Sequence, residues 1–428
     1  MKALCIKISD FYSQIAGTIS TGIYGFVTIL AFAEFTIAVS YFGQPLIKGI
    51  FRLESGYIAI SIFLMLVILA LINLWARGKL SIPDMNWFQI ILFVFIIWAL
   101  MSLMWSATFS SGFARLATWL VMGILPMELA IILFPNLNFQ RFLDSILFLG
   151  LVILIISFIT IKTQSVGPMM RFSPTGGEKV AYARTMGFFL LCLAWIFDKT
   201  IFWRKIVVIA LFLPTVYFLI CAATRAPFAI ALFLAFIYVF FASRIKKIAK
   251  SFILLIIGGA AIQFLSGSFM IMRILTVFKS VEFSSSVRGF IWNTVLKNLS
   301  NIPLWGIGIG SFKIFLPKML KHIQHPHNSF LEMLIELGIP GLMMYLILMF
   351  PIPLLGLKKY LANRKTRNNQ IYVLEFGLLI WSYGFLNSLI NDALAGGIFE
   401  WISLGIIAGT LKGMQIQKEK TNTSQLEL

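Results

Sequence analysis

The sequence predicts an all-α integral membrane protein of about 12 transmembrane helices, with a long extracytoplasmic loop between helices 9 and 10. Three observations predict it. The chain is 60% hydrophobic and only 12% charged, with a mean hydropathy of +0.93, outside the range of soluble domains. Apolar runs long enough to cross a bilayer recur from end to end. The formal net charge of +19 is unevenly placed. That third observation replaces a nucleic-acid reading of the charge with a topological one.

Spans are read at 16–42, 56–75, 87–105, 112–134, 142–161, 182–197, 206–221, 226–242, 251–269, 329–357, 371–390 and 394–411. With the N-terminus inside, cytoplasmic segments hold 20 of the 35 lysines and arginines, and the short outer loops hold six. The positive-inside rule accounts for that bias. The layout is then helices 1–9 over 1–269, the outer loop over 270–328, helices 10–12 over 329–411 and a cytoplasmic tail over 412–428, polar and expected to be disordered. The first apolar run lacks a small-residue cleavage pattern and is read as a retained helix. Cys5, Cys192 and Cys221 have no metal-ligand or disulfide spacing, and no cofactor or metal site is read.

Ionisable residues inside spans need partners or a wet cavity, or must reach an interface. Arg115, Arg184 and Glu336 pose that question, and either arginine is an available partner for Glu336. The outer loop before the sixth span carries Arg171 and a turn-rich Ser173-Pro174-Thr175-Gly176-Gly177, which reads as a connector or a lid. Spans seven and eight meet at Thr224-Arg225-Ala226-Pro227. Thr224 is a candidate N-cap, and Arg225 is placed to hold a phosphate oxygen or to anchor the helix end.

The loop 270–328 is basic, with seven lysines and arginines against the single acid Glu282. That balance over a membrane points to an anionic ligand. Arg288 and Trp292, four residues apart, share one face of an amphipathic helix. The glycines of Asn301-Ile-Pro-Leu-Trp-Gly-Ile-Gly-Ile-Gly310 have no strand–loop–helix setting, so they are read as sites of close backbone packing. His325-Pro326-His327-Asn328-Ser329 closes the loop. Ser329 and Glu332 form an S-x-x-E capping box, which starts a helix at Ser329 and puts His327 just outside its positive end. Such a position favours a neutral, proton-accepting imidazole. The plainer reading is a well-capped membrane helix with interfacial histidines. Gly338-Ile-Pro340-Gly341 is expected to bend this helix.

Arginines beside a neutral histidine suit clamping a diphosphate while a hydroxyl is deprotonated. No ATP is present outside the cytoplasm, so a donor must arrive already activated, as a lipid-linked diphosphate sugar does. Thr224-Arg225-Ala226, Arg288-x-x-x-Trp292, Pro303-Leu-Trp-Gly-Ile-Gly-Ile-Gly310 and His327-Asn328-x-x-Leu331 with Glu336-Leu-Gly338-Ile-Pro-Gly341 together resemble the O-antigen ligase/polymerase superfamily. The resemblance covers most of the chain by topology and 225–341 by motif.

The resemblance implies a metal-independent, inverting glycosyl transfer from undecaprenyl diphosphate at the periplasmic face of the bacterial inner membrane. It implies His327 as catalytic base or acceptor-orienting group, with His325 the second candidate base, and Arg225 and Arg288 as holders of the donor diphosphate. Arg171, Trp292, Asn328 and Glu336 are implied as supporting residues, although the residues around Arg171 depart from the family pattern. The acceptor is lipid A-core in ligases, which is the first reading. It is a lipid-linked repeat unit in polymerases and a protein side chain in the related oligosaccharyltransferases. A reading of another class, a lipid-linked glycan transporter, predicts internal repeats and a midplane site. The polar groups here gather instead at one face. Partners on the first reading are the glycan donor, lipid A-core and membrane lipids, with no nucleic acid. The sugar and the oligomeric state stay open.

Overall fold

A computed structural model describes residues 87–163, 179–222, 224–242, 287–316, 325–366, 368–390 and 397–426. All regular structure among these residues is helical. In chain order the helices are α1 Trp87–Ser102, α2 Phe109–Trp119, α3 Leu125–Leu133, α4 Phe139–Thr163, α5 Lys179–Lys199, α6 Phe202–Cys221 and α7 Arg225–Ala242. They continue with α8 Val287–Lys297, the single turn α9 Phe312–Phe315, α10 Ser329–Glu336, α11 Gly338–Met349, α12 Pro351–Asn363, α13 Asn369–Ser388 and α14 Ile398–Leu426.

Four described segments are long and apolar enough to cross a membrane: Trp87–Trp105, Phe142–Ile159, Phe202–Cys221 and Gly338–Asn363. They fall on expected spans three, five, seven and ten. The expected spans 16–42, 56–75 and 251–269 lie outside the described residues.

Two expectations are corrected. The tenth span is three helices. Gly338, at φ +70°, turns the chain between α10 and α11, as the glycine–proline signal predicts. A second break at Phe350 was not foreseen; Pro351, which lacks an N–H, opens α12 there. The tail is not structureless either, because α14 runs unbroken to Leu426. Lysine, glutamate and glutamine are good helix formers and extend a helix already nucleated in the core.

Helix α14 packs along α13 and α3. Gly405 and Gly409 let it approach α3 closely: a Cβ at Gly405 would lie 2.3 Å from the Met127 carbonyl oxygen. Trp119 meets Trp401 edge-on at 5.4 Å. A second cluster joins α4, α5, α6, α7 and α13 around Trp195, Phe218 and Tyr383. Helices α5 and α13 run antiparallel. The Tyr383 hydroxyl donates to the Arg184 carbonyl at 2.9 Å, and Lys199 pairs with Glu375 at 3.0 Å. Arg184 and Lys199 are thus separated by about 22 Å of helix. The histidine turn, which lies in electrostatic reach of Arg184, marks one end of the bundle, and Lys199 the other.

Candidate functional site

The loop after α8 is built on glycine. Gly306, Gly308 and Gly310 have φ of +82°, +88° and +81°, a region that side chains rarely enter. Space also demands glycine: a Cβ at Gly310 would lie 2.5 Å from the Gly112 Cα, and one at Gly306 would lie 2.4 Å from the Glu336 carbonyl oxygen. The expectation that these glycines serve close backbone packing is therefore met. The amides of Ile307 and Gly308 donate to the carbonyls of Ile335 and Glu336, both at 2.9 Å, and the Ile339 amide donates to the Leu304 carbonyl at 2.9 Å. On the other side, the Ser106 hydroxyl donates to the Ile309 carbonyl at 2.8 Å and the Thr108 hydroxyl to the Gly310 carbonyl at 2.7 Å. The loop is wedged between the α1–α2 corner and the α10–α11 break.

A buried ion cluster locks this arrangement. Arg115 Nη1 lies 2.8 Å from Glu332 Oε1 and 2.9 Å from Glu336 Oε1. The Glu336 carboxylate also accepts from the amides of Gly310 at 2.9 Å and Phe312 at 3.1 Å. Both glutamates are buried. Glu332 and Glu336 are one helical turn apart, so both reach one guanidinium. Glu336 therefore pairs with Arg115, which settles the choice left open by sequence. Two carboxylates around one arginine also use its charge internally. Among the described residues no His, Cys, Asp and Glu side chains cluster as a metal-ligand set.

The histidine turn stands next to this cluster. Helix α10 does start at Ser329, but its cap is Asn328 and not Ser329. Asn328 Oδ1 accepts from the Leu331 amide at 3.0 Å, and Asn328 Nδ2 donates to the Leu389 carbonyl at 3.0 Å. The expected capping box is thereby corrected: the cap is one residue earlier, and the Glu332 carboxylate pairs with Arg115. Asparagine caps as well as serine does, and here it also ties α10 to the end of α13.

His327 precedes the cap with φ +55°, and no other non-glycine among the described residues has positive φ. Such backbone is held only where surrounding contacts fix it. One such contact is next door: Trp292 Nε1, from α8, donates to the Pro326 carbonyl at 2.9 Å. The rings of His325 and His327 stand 4.4 Å apart. Burial, with His327 and the guanidinium groups of Arg115, Arg184 and Arg288 nearby, pushes the His325 imidazole from 6.5 down to about 3. Such a group is neutral and a poor proton acceptor near pH 7.

The structure thus gathers Arg288, Trp292, His325, His327, Asn328 and Glu336 at one end of the bundle. Of Arg225 only the backbone is described, at the start of α7, and Arg171 and His322 lie outside the described residues. Sequence reasoning passed over Glu400, a buried acid whose Oε2 accepts from the Tyr345 hydroxyl at 2.8 Å. An acid within an apolar run was the available signal.

Residues 209–346 match the family described as O-antigen ligase. A Rickettsia conorii protein provisionally named a polysaccharide ligase is 29% identical over 136 residues, which is 29% of this chain. The matched stretch spans 30% of that relative's length. The superfamily resemblance read from the motifs is borne out over this stretch, which holds Arg225, Arg288, His327 and Glu336; Arg115, Arg184 and Glu400 lie outside it.

Proposed function

We propose, from the premise of an O-antigen ligase match over residues 209–346, that this protein is a glycosyltransferase at the periplasmic face of the bacterial inner membrane. It moves O-antigen polysaccharide from undecaprenyl diphosphate to lipid A-core. One observation carries the reading most of the way. The helix bearing Arg288 is hydrogen-bonded through Trp292 to the carbonyl between the two histidines, which supports pairing a phosphate-holding arginine with a proton-accepting histidine there.

In this mechanism an acceptor hydroxyl gives its proton to His327. Its oxygen attacks the anomeric carbon as the bond to the diphosphate breaks, and the configuration inverts. The electron pair leaves with the diphosphate, held by Arg288 and Arg225. Arginine suits the task because its planar fork meets two phosphate oxygens at once. No metal is needed where guanidinium groups carry the leaving charge. Arg288→Lys keeps the charge but loses the fork, so it should lower donor affinity and turnover together. Unchanged values for both would remove Arg288 from the clamp.

The test of the reading is a transfer assay with purified protein in detergent, with and without a chelator. The substrates are an undecaprenyl-diphosphate glycan and lipid A-core, and the products are sized. One glycan joined to lipid A-core supports the ligase. A ladder growing on undecaprenyl diphosphate would make the protein a repeat-unit polymerase. Transfer to neither acceptor would reject both, and a chelator-sensitive reaction would reject metal independence.

A further inference from the structure

The segment from α8 to α9 is apolar on two sides. Its inner side is accounted for: Ile291 and Val295 of α8 pack with Phe312, Leu316 and Ile335. Its outer side is not. Leu296 is 58% exposed, Leu304 68%, and Trp305 and Ile314 about half. None of these residues belongs to a candidate span. A loop facing only water has no reason to present such a surface, and exposed apolar patches of this kind mark interaction sites.

Its surroundings identify the partner. The segment sits on the end of Trp87–Trp105, a helix long and apolar enough to cross a membrane. That helix's exposed residues include Ile97, Leu100 and Met101, and Met104 at its end is 84% exposed. Ser106 and Thr108, just beyond, hold the carbonyls of Ile309 and Gly310. The exposed Ile339 is joined through its amide to the Leu304 carbonyl. The apolar surface of the loop therefore continues the lipid-facing surface of α1. Lys297, at the end of α8, is exposed, and Lys313, in α9, is half-buried. Lysines beside tryptophan and leucine are the composition of a segment seated at a lipid headgroup layer.

We propose that residues 290–314 are seated in the headgroup–acyl boundary of the membrane, with Leu296, Leu304 and Trp305 in contact with lipid. The loop is then an interfacial shelf, not a water-exposed lid. A substrate anchored by a lipid reaches the histidine turn sideways, along the membrane plane. The seating is independent of which reaction the site performs.

The full-length protein tests this in vesicles of phosphatidylethanolamine and phosphatidylglycerol. A fluorophore is placed at Leu296→Cys or at Leu304→Cys in a Cys5→Ser background, since Cys192 and Cys221 are buried. A third probe at Lys365→Cys, in the exposed turn after α12, serves as the reference. Quenching is compared between aqueous iodide and lipids carrying a spin label at the headgroup, the upper chain or the chain end. Both loop probes should be quenched several-fold more by the upper-chain label than the reference is, and several-fold less by iodide. Iodide quenching equal to the reference at either loop probe would overturn the proposal. So would probes shielded from both quenchers, which would mean that a second copy of the chain covers this face.

Discussion

The two ends of the bundle use buried charge differently. At the far end Lys199 pairs with Asp198 at 3.1 Å and with Glu375 at 3.0 Å, and lies 4.6 Å from the centre of the Tyr372 ring. Nearby in sequence, Arg204 meets both oxygens of Asp144 at 2.8 and 2.9 Å. The contacts of Lys199 with Glu375 and Tyr372, and of Arg204 with Asp144, join helix to helix. At the site end Arg115 and its two glutamates also hold the backbone of a loop, through the amides of Gly310 and Phe312. The same ingredients close a bundle at one end and shape irregular chain at the other. Irregular backbone carries unpaired amides, and a buried carboxylate can satisfy two of them at once.

Substitutions at the two ends should therefore separate turnover from stability. The largest effect belongs to the histidine turn. His327→Ala should lower turnover by about 10²–10⁴, the usual contribution of general acid–base catalysis, with donor binding and melting temperature retained. Near-normal turnover in a folded variant would exclude His327 as the base. Next come the buried cations. Arg115→Met and Lys199→Met each strand buried carboxylates and should each cost about 3–5 kcal/mol in chemical denaturation. At equal folded fraction only the Arg115 variant should also lose turnover, because it alone frees the glycine loop. Equal specific activity in the two variants would erase the distinction between the ends.

Acid should act at the site end. His325 titrates near 3 in the folded protein and at 6.5 when unfolded, so the unfolded chain binds more protons between those values. Stability should then fall as pH drops from 6.5 towards 3. His325→Asn should flatten that dependence in melting curves, and a slope identical to the parent's would refute it. The smallest effect is expected at the surface: Arg204→Ala breaks a half-exposed pair and should cost about 0.2–1 kcal/mol, with no change in turnover.

What was legible in the sequence followed from local rules. Apolar runs placed the four described segments long enough to cross a membrane, because a bilayer demands length and hydropathy from each segment alone. The glycine–proline break after Glu336, the need for glycine at 306–310 and the start of α10 at Ser329 were legible for the same reason. Choices between equivalent partners were not. Asn328 and Ser329 both cap well, and only the pull of Arg115 on Glu332 and the reach of Asn328 to the Leu389 carbonyl decide between them. Arg115 and Arg184 were equal claimants for Glu336 until the wedge of the glycine loop brought α2 against α10.

By itself, then, the sequence determined a helical membrane protein and the residue types from which a site could be made. The tertiary structure alone decided that Trp292 would hold the His325–His327 turn, that Arg115 would pair with Glu332 and Glu336 and that the segment from α8 to α9 would show an apolar face. Hydropathy and capping act within one turn or one span of chain, whereas charge pairing and backbone satisfaction act between segments more than two hundred residues apart, as Arg115 and Glu332 are.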